Sequence, residues 1–429
     1  MIGVGIIGLG TVGSGTYKIL TESQSLIKQK TGLDIQVVKI AETDPAKARG
    51  KRLPAGTLTR DAHELIRDKN VRIVVELMGG IHPAHEFITE ALREGKWVVT
   101  ANKALLAEKG NDLFGFAEKK GCEIGFEASV CGGIPVIRAI RDGLVANRIT
   151  SILGILNGTS NYILTKMTDE GVSFQGALKE AQRLGFAEKD PTFDVEGIDA
   201  AHKLSILVRL AFSYPIGMKD ITTGGISKIE PIDIGFARDF GYKIKLLGVA
   251  KEVDGFVEAR VEPAMIPVTH PMSSVSGVFN AVYVVGDRVG PTLFYGKGAG
   301  SEPTGSAVVS DIVDMALRME SKSLLTRVPV HRAPKKARGA RGSSIPYYMR
   351  CNAEDRPGVL SRVSGILSDY GISISAVTQK ERKESGHVPI VMLTHEADEK
   401  NLKKAKSQID RLSFIKGESV HIRIEEGSL

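Results

Sequence analysis

Cysteine, aromatic side chains and long apolar runs are all scarce in this chain. Its 429 residues include three cysteines, one tryptophan and 6% aromatics. Cys122, Cys131 and Cys351 are odd in number and widely separated, which argues against a disulfide framework and for reduced thiols in a cytoplasmic protein. No Cys/His cluster carries zinc spacing. No apolar run is long enough to span a bilayer, so no membrane role is expected. The apolar opening has no basic n-region and reads as a first strand rather than a signal peptide.

The net charge of +7 raises the question of a nucleic-acid partner, and its location answers it. Eight Lys/Arg and no Asp or Glu lie between Lys322 and Arg350. Removing these eight leaves the remainder of the chain at −1. The basic excess is one local stretch, rich in Pro, Gly and Ser from Arg327 to Pro346. It reads as an interdomain linker, and no nucleic-acid binding is expected.

What the chain has in plenty is glycine, 47 residues, and 42% hydrophobic content, enough for a full core and several domains. The apolar run Val4, Ile6, Ile7 leads straight into Gly8-x-Gly10-x-x-Gly13, and a helix is expected from Thr11. Strand, tight turn and helix in that order are the dinucleotide-binding fingerprint. Gly8 permits the turn, Gly10 lets backbone approach a pyrophosphate, and Gly13 lets helix and strand pack closely. The helix N-terminus, with Thr11 and Val12, then faces the phosphates. Glu42, after the second strand, is placed to bond a ribose hydroxyl, favouring NAD. Lys47, Arg49, Lys51 and Arg52 follow closely and are suited to NADP, so the preference stays open.

Strand and helix alternate through residue 126, which gives a doubly wound parallel sheet. Beyond Glu127 the pattern changes to helices at about 158–167, 173–184 and 197–212, then extended segments at 243–251, 256–262 and 278–285. This second region reads as a mostly antiparallel sheet covered on one face. A helix at 304–319 is placed to return to the first region. Past the linker the order is βαββαβ, a ferredoxin-like unit.

The sharpest constellation is the run Gly185 to Lys203. Asp199 and Lys203 are four apart on a helix, acid first, so they share a face. Ile206 and Leu210 continue that stripe. The pair is therefore expected on a covered face, where charge is costly without a function. Lys103 follows a strand at its carboxyl end, where ligands of open α/β sheets bind. Gly296 to Gly300 is a second glycine-rich loop before a helix. His63, His82, His85 and His202 read as solvated or satisfied side chains, and no neighbouring His supports a nucleophilic Cys131.

Together these segments resemble homoserine dehydrogenase. The strings are Gly8–Gly13, Val74–Gly80, Val99–Ala104, Phe126–Pro135, Leu156–Tyr162, Gly185–Lys203 and Gly298–Gly300. Asp355-Arg-Pro-Gly-Val-Leu360 after a strand looks like an ACT domain. The resemblance implies a Rossmann domain over 1–130, a substrate and dimerisation domain of α+β type over 131–303, a helix over 304–322 returning to the first domain, the linker over 323–345 and an ACT domain over 346–429. It implies reversible reduction of L-aspartate 4-semialdehyde to L-homoserine by NAD(P)H, in threonine, methionine and isoleucine biosynthesis. Lys203 would donate the proton, with Lys103 near the nicotinamide and the reacting oxygen. Glu188 and Asp199 would hold the substrate ammonium, Gly185 would contribute a backbone contact, Asp194 would line the pocket, and Gly300 would approach the cofactor. A buried lysine suits this chemistry because desolvation lowers its pKa.

The resemblance also implies a structural, sodium-like cation held by Glu127, Val130, Gly132 and Ile134. An amino-acid effector, threonine first among them, is expected at the ACT domain, and a homodimer or homotetramer is the expected assembly. Two other readings compete: an aspartate dehydrogenase, and a sensor that binds nucleotide and amino acid without catalysis. Lys103, Asp199 and Lys203 argue against the sensor, which needs no proton donor.

Overall fold

Ile2–Ile7 is buried at all six positions, as a strand covered on both faces must be, and it sits at the centre of a six-stranded parallel sheet. The computed structural model describes residues 1–48, 53–253, 255–321, 336–337, 344–379 and 387–426. Across this first sheet the strands run Leu58–Thr59, Ile35–Ala41, Ile2–Ile7, Ile73–Glu76, Trp97–Thr100 and Ile124–Gly125. The order reverses beside Ile2–Ile7, so the crevice outside the carboxyl ends of the first and fourth strands is the ligand position of a doubly wound sheet.

The helix Thr11–Glu22 leaves the first strand through the glycine turn and packs against the long helix Ser301–Ser321. Gly15 and Gly305 allow this approach. A Cβ at Gly15 would sit 2.2 Å from the Ser301 carbonyl oxygen. Gly15→Ala is therefore expected to cost about 1–3 kcal/mol, read as a fall in thermal midpoint.

The second sheet is larger than the antiparallel sheet expected from sequence. Gly290–Lys297, Phe279–Gly286, Ile149–Ile155, Tyr242–Val253 and Phe256–Pro267 pair antiparallel in that order. The edge strand Gly290–Lys297 was not anticipated, because its alternating exposed positions and three glycines or prolines mask a strand pattern. The helix Pro231–Asp239 was also not anticipated. A capping box between Glu230 and Asp233, with Pro231 at its first turn, starts it.

The C-terminal unit has the expected βαββαβ order. Its strands line up as Val420–Ile424, Tyr347–Glu354, His387–Thr394 and Ile374–Gln379. It continues the second sheet, because Val420–Ile424 pairs parallel with Phe256–Pro267 through Ala264↔Arg423 and Met265↔Ile424. A buried network of charges seals this seam. Glu399 accepts from Arg260 at 3.2 Å and from Arg423 at 3.3 Å, and Lys251 donates to Glu425 at 2.7 Å. Among the described residues no helix is long and apolar enough to cross a membrane. The basic linker lies mostly outside the described residues.

Candidate active site

The glycine turn has the form that close backbone approach requires. Gly8 adopts φ +93°, a left-handed conformation that other residues resist. A Cβ on Gly13 would lie 2.0 Å from the Gly8 carbonyl oxygen, whereas one on Gly10 would meet nothing within 4 Å. Gly13 is thus the packing glycine and Gly10 the open one. Among the described residues no side chain caps the helix that begins at Thr11, so its first N–H groups are left for a ligand.

The second glycine loop converges on the first, with Ser301 lying 290 residues after Thr11 in sequence. Ser301 donates its hydroxyl to the Thr11 carbonyl at 2.8 Å, and Gly300 beside it holds φ +122°. Glu42 is buried, and its Oε2 accepts from the Leu9 N–H at 2.7 Å while Oε1 accepts from Asp44 N–H at 3.0 Å. Burial opposes ionisation of Glu42, but these two amides and Lys47 hold its carboxyl below the usual range. It braces the glycine turn, a use that the sequence did not suggest. Arg49, Lys51 and Arg52 lie outside the described residues.

Across the crevice, the two-domain cluster forms around one carboxylate. Lys103 opens the helix Lys103–Lys120, whose cap Asn102 accepts from Leu105 N–H at 3.2 Å and donates to the Gly80 carbonyl at 2.6 Å. Glu76 fixes the same edge. Buried completely, it accepts from Met78 N–H at 2.8 Å and Thr100 hydroxyl at 2.7 Å. Asp199 and Lys203 lie one turn apart on the helix Ile198–Phe212, of which most residues are buried. Lys203 donates to Asp199 Oδ2 at 2.7 Å and to the Leu156 carbonyl at 2.7 Å. Lys103 meets Asp199 Oδ1 at 2.5 Å as an ion pair, and among the described residues no other donor reaches that oxygen.

Asn157 ties the second acid into the cluster. Its amide donates to Asp199 Oδ2 at 2.9 Å and to Asp194 Oδ1 at 2.7 Å, while its carbonyl oxygen caps the helix Gly158–Glu170. Its place after the strand Ile149–Ile155 and before a helix is the signal that could have marked it. Gly185 and Glu188 are exposed on a loop held to that helix by the Thr159 hydroxyl, which donates to the Phe186 carbonyl at 2.7 Å. The Glu188 carboxylate stays outside the hydrogen-bonded cluster. His202 is buried with no partner for Nδ1 among the described residues, and its ring lies tilted at 42° to that of Phe193, centroids 5.4 Å apart.

Electrostatics correct one expectation. Burial pushes the Lys203 ammonium towards neutrality, but Asp199 outweighs it and raises the pKa above the ordinary lysine value. Burial likewise opposes ionisation of Asp199, and Lys203 followed by Lys103 overcomes it, leaving that carboxyl well below the usual range. Asp194, with burial dominant, is shifted upward. Cys131 is fully buried at φ +54°, and desolvation pushes its thiol up to about 11, which disfavours a thiolate nucleophile.

The Glu127–Ile134 turn meets the second glycine loop where Gly133 N–H donates to the Lys297 carbonyl at 3.0 Å. Glu127 is buried and accepts from the N–H groups of Ile137 and Arg138, both at 2.9 Å. Among the described residues no three His, Cys, Asp or Glu side chains form a metal cluster.

Comparison with known proteins gives the family. Residues 8–127 match the family described as homoserine dehydrogenase, NAD binding domain, residues 135–313 match homoserine dehydrogenase, and residues 347–414 match the ACT domain. The homoserine dehydrogenase of Pseudomonas aeruginosa is 45% identical, over 99% of this chain and 98% of that protein. The solved structure of a homoserine dehydrogenase from Thiobacillus denitrificans is 46% identical, with a TM-score of 0.93 over 99% of this chain and 98% of that one. A hyperthermophilic archaeal homoserine dehydrogenase in complex with NADPH is 27% identical, with a TM-score of 0.64 over 76% of this chain and 99% of that one. The chain belongs to the homoserine dehydrogenase family, NAD(P)-dependent oxidoreductases acting on a CH–OH group.

Proposed function

We propose that this chain interconverts L-homoserine and L-aspartate 4-semialdehyde, with Lys203 moving the proton. The observation that carries the reading is the Lys103–Asp199–Lys203 cluster, built from two domains at the carboxyl edge of the sheet. The nicotinamide, when bound, supplies hydride to the aldehyde carbon or accepts it from the alcohol carbon. The open glycine turn and the uncapped helix start suit its pyrophosphate, and Gly8, Gly10, Thr11, Val12, Gly13 and Gly300 would hold it. NADP use is supported by the archaeal relative; Glu42 supports NAD only weakly, since its oxygens already brace the turn.

In reduction, the Lys203 ammonium gives its proton to the carbonyl oxygen as that oxygen gains charge, and Asp199 holds the amine in place. In oxidation the neutral amine takes the hydroxyl proton. Lys103, on the opposite domain, adds a second cation facing the oxygen. Glu188 and Asp199 would hold the substrate ammonium, Gly185 would contribute a backbone contact and Asp194 would line the pocket. The domain division given above stands as part of the same proposal.

A sodium-like ion at Glu127, Val130, Gly132 and Ile134 is compatible with the turn. Each Glu127 oxygen takes one N–H and keeps a lone pair, and the donor set is all oxygen. It would hold the 127–138 segment beside the cluster. The ACT unit supports regulation by an amino acid, with threonine proposed, and a homodimer or tetramer is proposed for the assembly.

The test is oxidation of L-homoserine at alkaline pH, with NAD and NADP in parallel and with or without threonine. Turnover with at least one cofactor is expected. No turnover from folded protein that binds nucleotide, with activity instead on oxaloacetate and ammonia, would replace this reading by an aspartate dehydrogenase.

A further inference from the structure

Two helices, one from each side of the catalytic crevice, lie side by side and meet at two places. Along Lys103–Lys120, residues Lys103, Gly110 and Phe114 recur at intervals of seven and four, so they share one face. Asp199 and Arg209, both on Ile198–Phe212, reach across to that helix. The first meeting point is the Lys103–Asp199 ion pair at 2.5 Å. The second is Arg209, about 12–15 Å further along the two helices at ~1.5 Å per residue.

Arginine is seldom buried without an acid, yet Arg209 is 5% exposed and among the described residues no carboxylate pairs with it. Its Nη1 donates to the Asn111 side-chain oxygen, and its guanidinium stands 5.6 Å from the centre of the Phe114 ring. It also lies so near Gly110 that a Cβ there would touch Nη2 at 3.5 Å. All three neighbours belong to the other helix. Desolvation alone acts on its ionisation, pushing the pKa down to about 10. A buried cation without a counter-ion is costly, and hydrophobic packing between two helices does not need one. The geometry gives that cost a use. One contact at Lys103, whose side chain is 38% exposed, leaves the helices free to slide past each other, and a second fixes their register.

We propose that Arg209 is a positioning residue for catalysis, pinning the helix that carries Asp199 and Lys203 to the helix that Lys103 opens. The Lys103 ammonium is thereby held at its place beside the other two charges. The inference rests on the catalytic reading above and extends it to a side chain more than two turns from the reacting groups.

The experiment follows homoserine oxidation by the full chain carrying Arg209→Met, Lys103→Met or both. Methionine strands no carboxylate, and the exposed Asn111 turns to water, so the Arg209 variant is expected to fold. Its kcat should fall about tenfold or more, as small misplacements of a catalytic group cause, while KM and nucleotide affinity stay within about twofold. In the Lys103→Met background the same substitution should cost less than about twofold, because the group to be positioned is gone. Arg209→Lys, which keeps a donor and a cation near Phe114, should recover about threefold or more of the lost kcat. Asn111→Ala loosens the contact from its exposed side and should lower kcat about threefold or more, which carries the test if the methionine variant does not fold. A kcat within twofold of the parent in the variant that folds, an equal fractional loss with and without Lys103, or no recovery in Arg209→Lys would overturn the proposal. Unchanged kcat in Lys103→Met would remove the catalytic reading of Lys103 and the pin together, whereas a loss there with none in Arg209→Met removes the pin alone.

Discussion

Lys203→Ala is expected to lower kcat for homoserine oxidation by about 10²–10⁴-fold, the usual contribution of a positioned acid or base. Nucleotide affinity should stay within about twofold, since Lys203 lies on the substrate side and touches Leu156 and Asp199 rather than the glycine turn. The variant has a structural cost. Removing the amine leaves Asp199 with Lys103 as its one cationic partner and with the Asn157 amide. Lys203→Met, which keeps the volume, separates the effects: a methionine variant that folds as the parent does and is as inactive as the alanine variant assigns the loss to the proton. Titration of nucleotide by fluorescence, beside steady-state rates, is the measurement. Equal loss of nucleotide binding and turnover would remove the proton-transfer role.

The sequence carried the fold class because each signal was local. An apolar run ending in glycines, the alternation of strand and helix, and the spacing of Asp199 and Lys203 all act within a few residues. What it did not carry is convergence across distance. Nothing in the string near Gly300 says that Ser301 bonds Thr11, and nothing near Asn157 says that its amide joins Asp194 to Asp199. The C-terminal unit was legible as βαββαβ, yet its merger with the second sheet depends on two paired residues, Ala264 and Met265, in a strand already read as ordinary. The Lys203 pKa was misjudged for a related reason. Burial is predictable from the apolar stripe, whereas the balance between desolvation and a carboxylate 2.7 Å away needs the geometry. Glu42 shows the same limit, since its position after a strand suggests a ribose contact and its atoms reach the glycine turn.

Asp199→Asn is expected to shift the pH profile as well as the rate. In the parent, Asp199 raises the Lys203 pKa against the effect of burial. Homoserine oxidation needs the neutral amine, so kcat/KM should climb through the alkaline range and level off only above the ordinary lysine value of ~10.4. The neutral amide removes the chief opposing charge, leaving desolvation, the largest influence on Lys203, against the weaker pull of Cys131 and Asp194. Desolvation lowers the pKa, so the rising limb should move to lower pH. The rate at the plateau should fall by about 10²-fold, because Asp199 also fixes the positions of both lysines and small misplacements are that costly. Stability should respond in the matching sense. The raised Lys203 contributes stability below the unfolded lysine pKa that is lost as pH rises through the folded value. The depressed Asp199 contributes stability above the unfolded ~3.9 that is lost as pH falls towards its folded value. Asp199→Asn should remove the acid-side loss and reverse the alkaline one, because a Lys203 pKa below its unfolded value makes stability rise with pH through that window. A plateau reached at the same pH in parent and variant would show that Asp199 does not set the ionisation of Lys203.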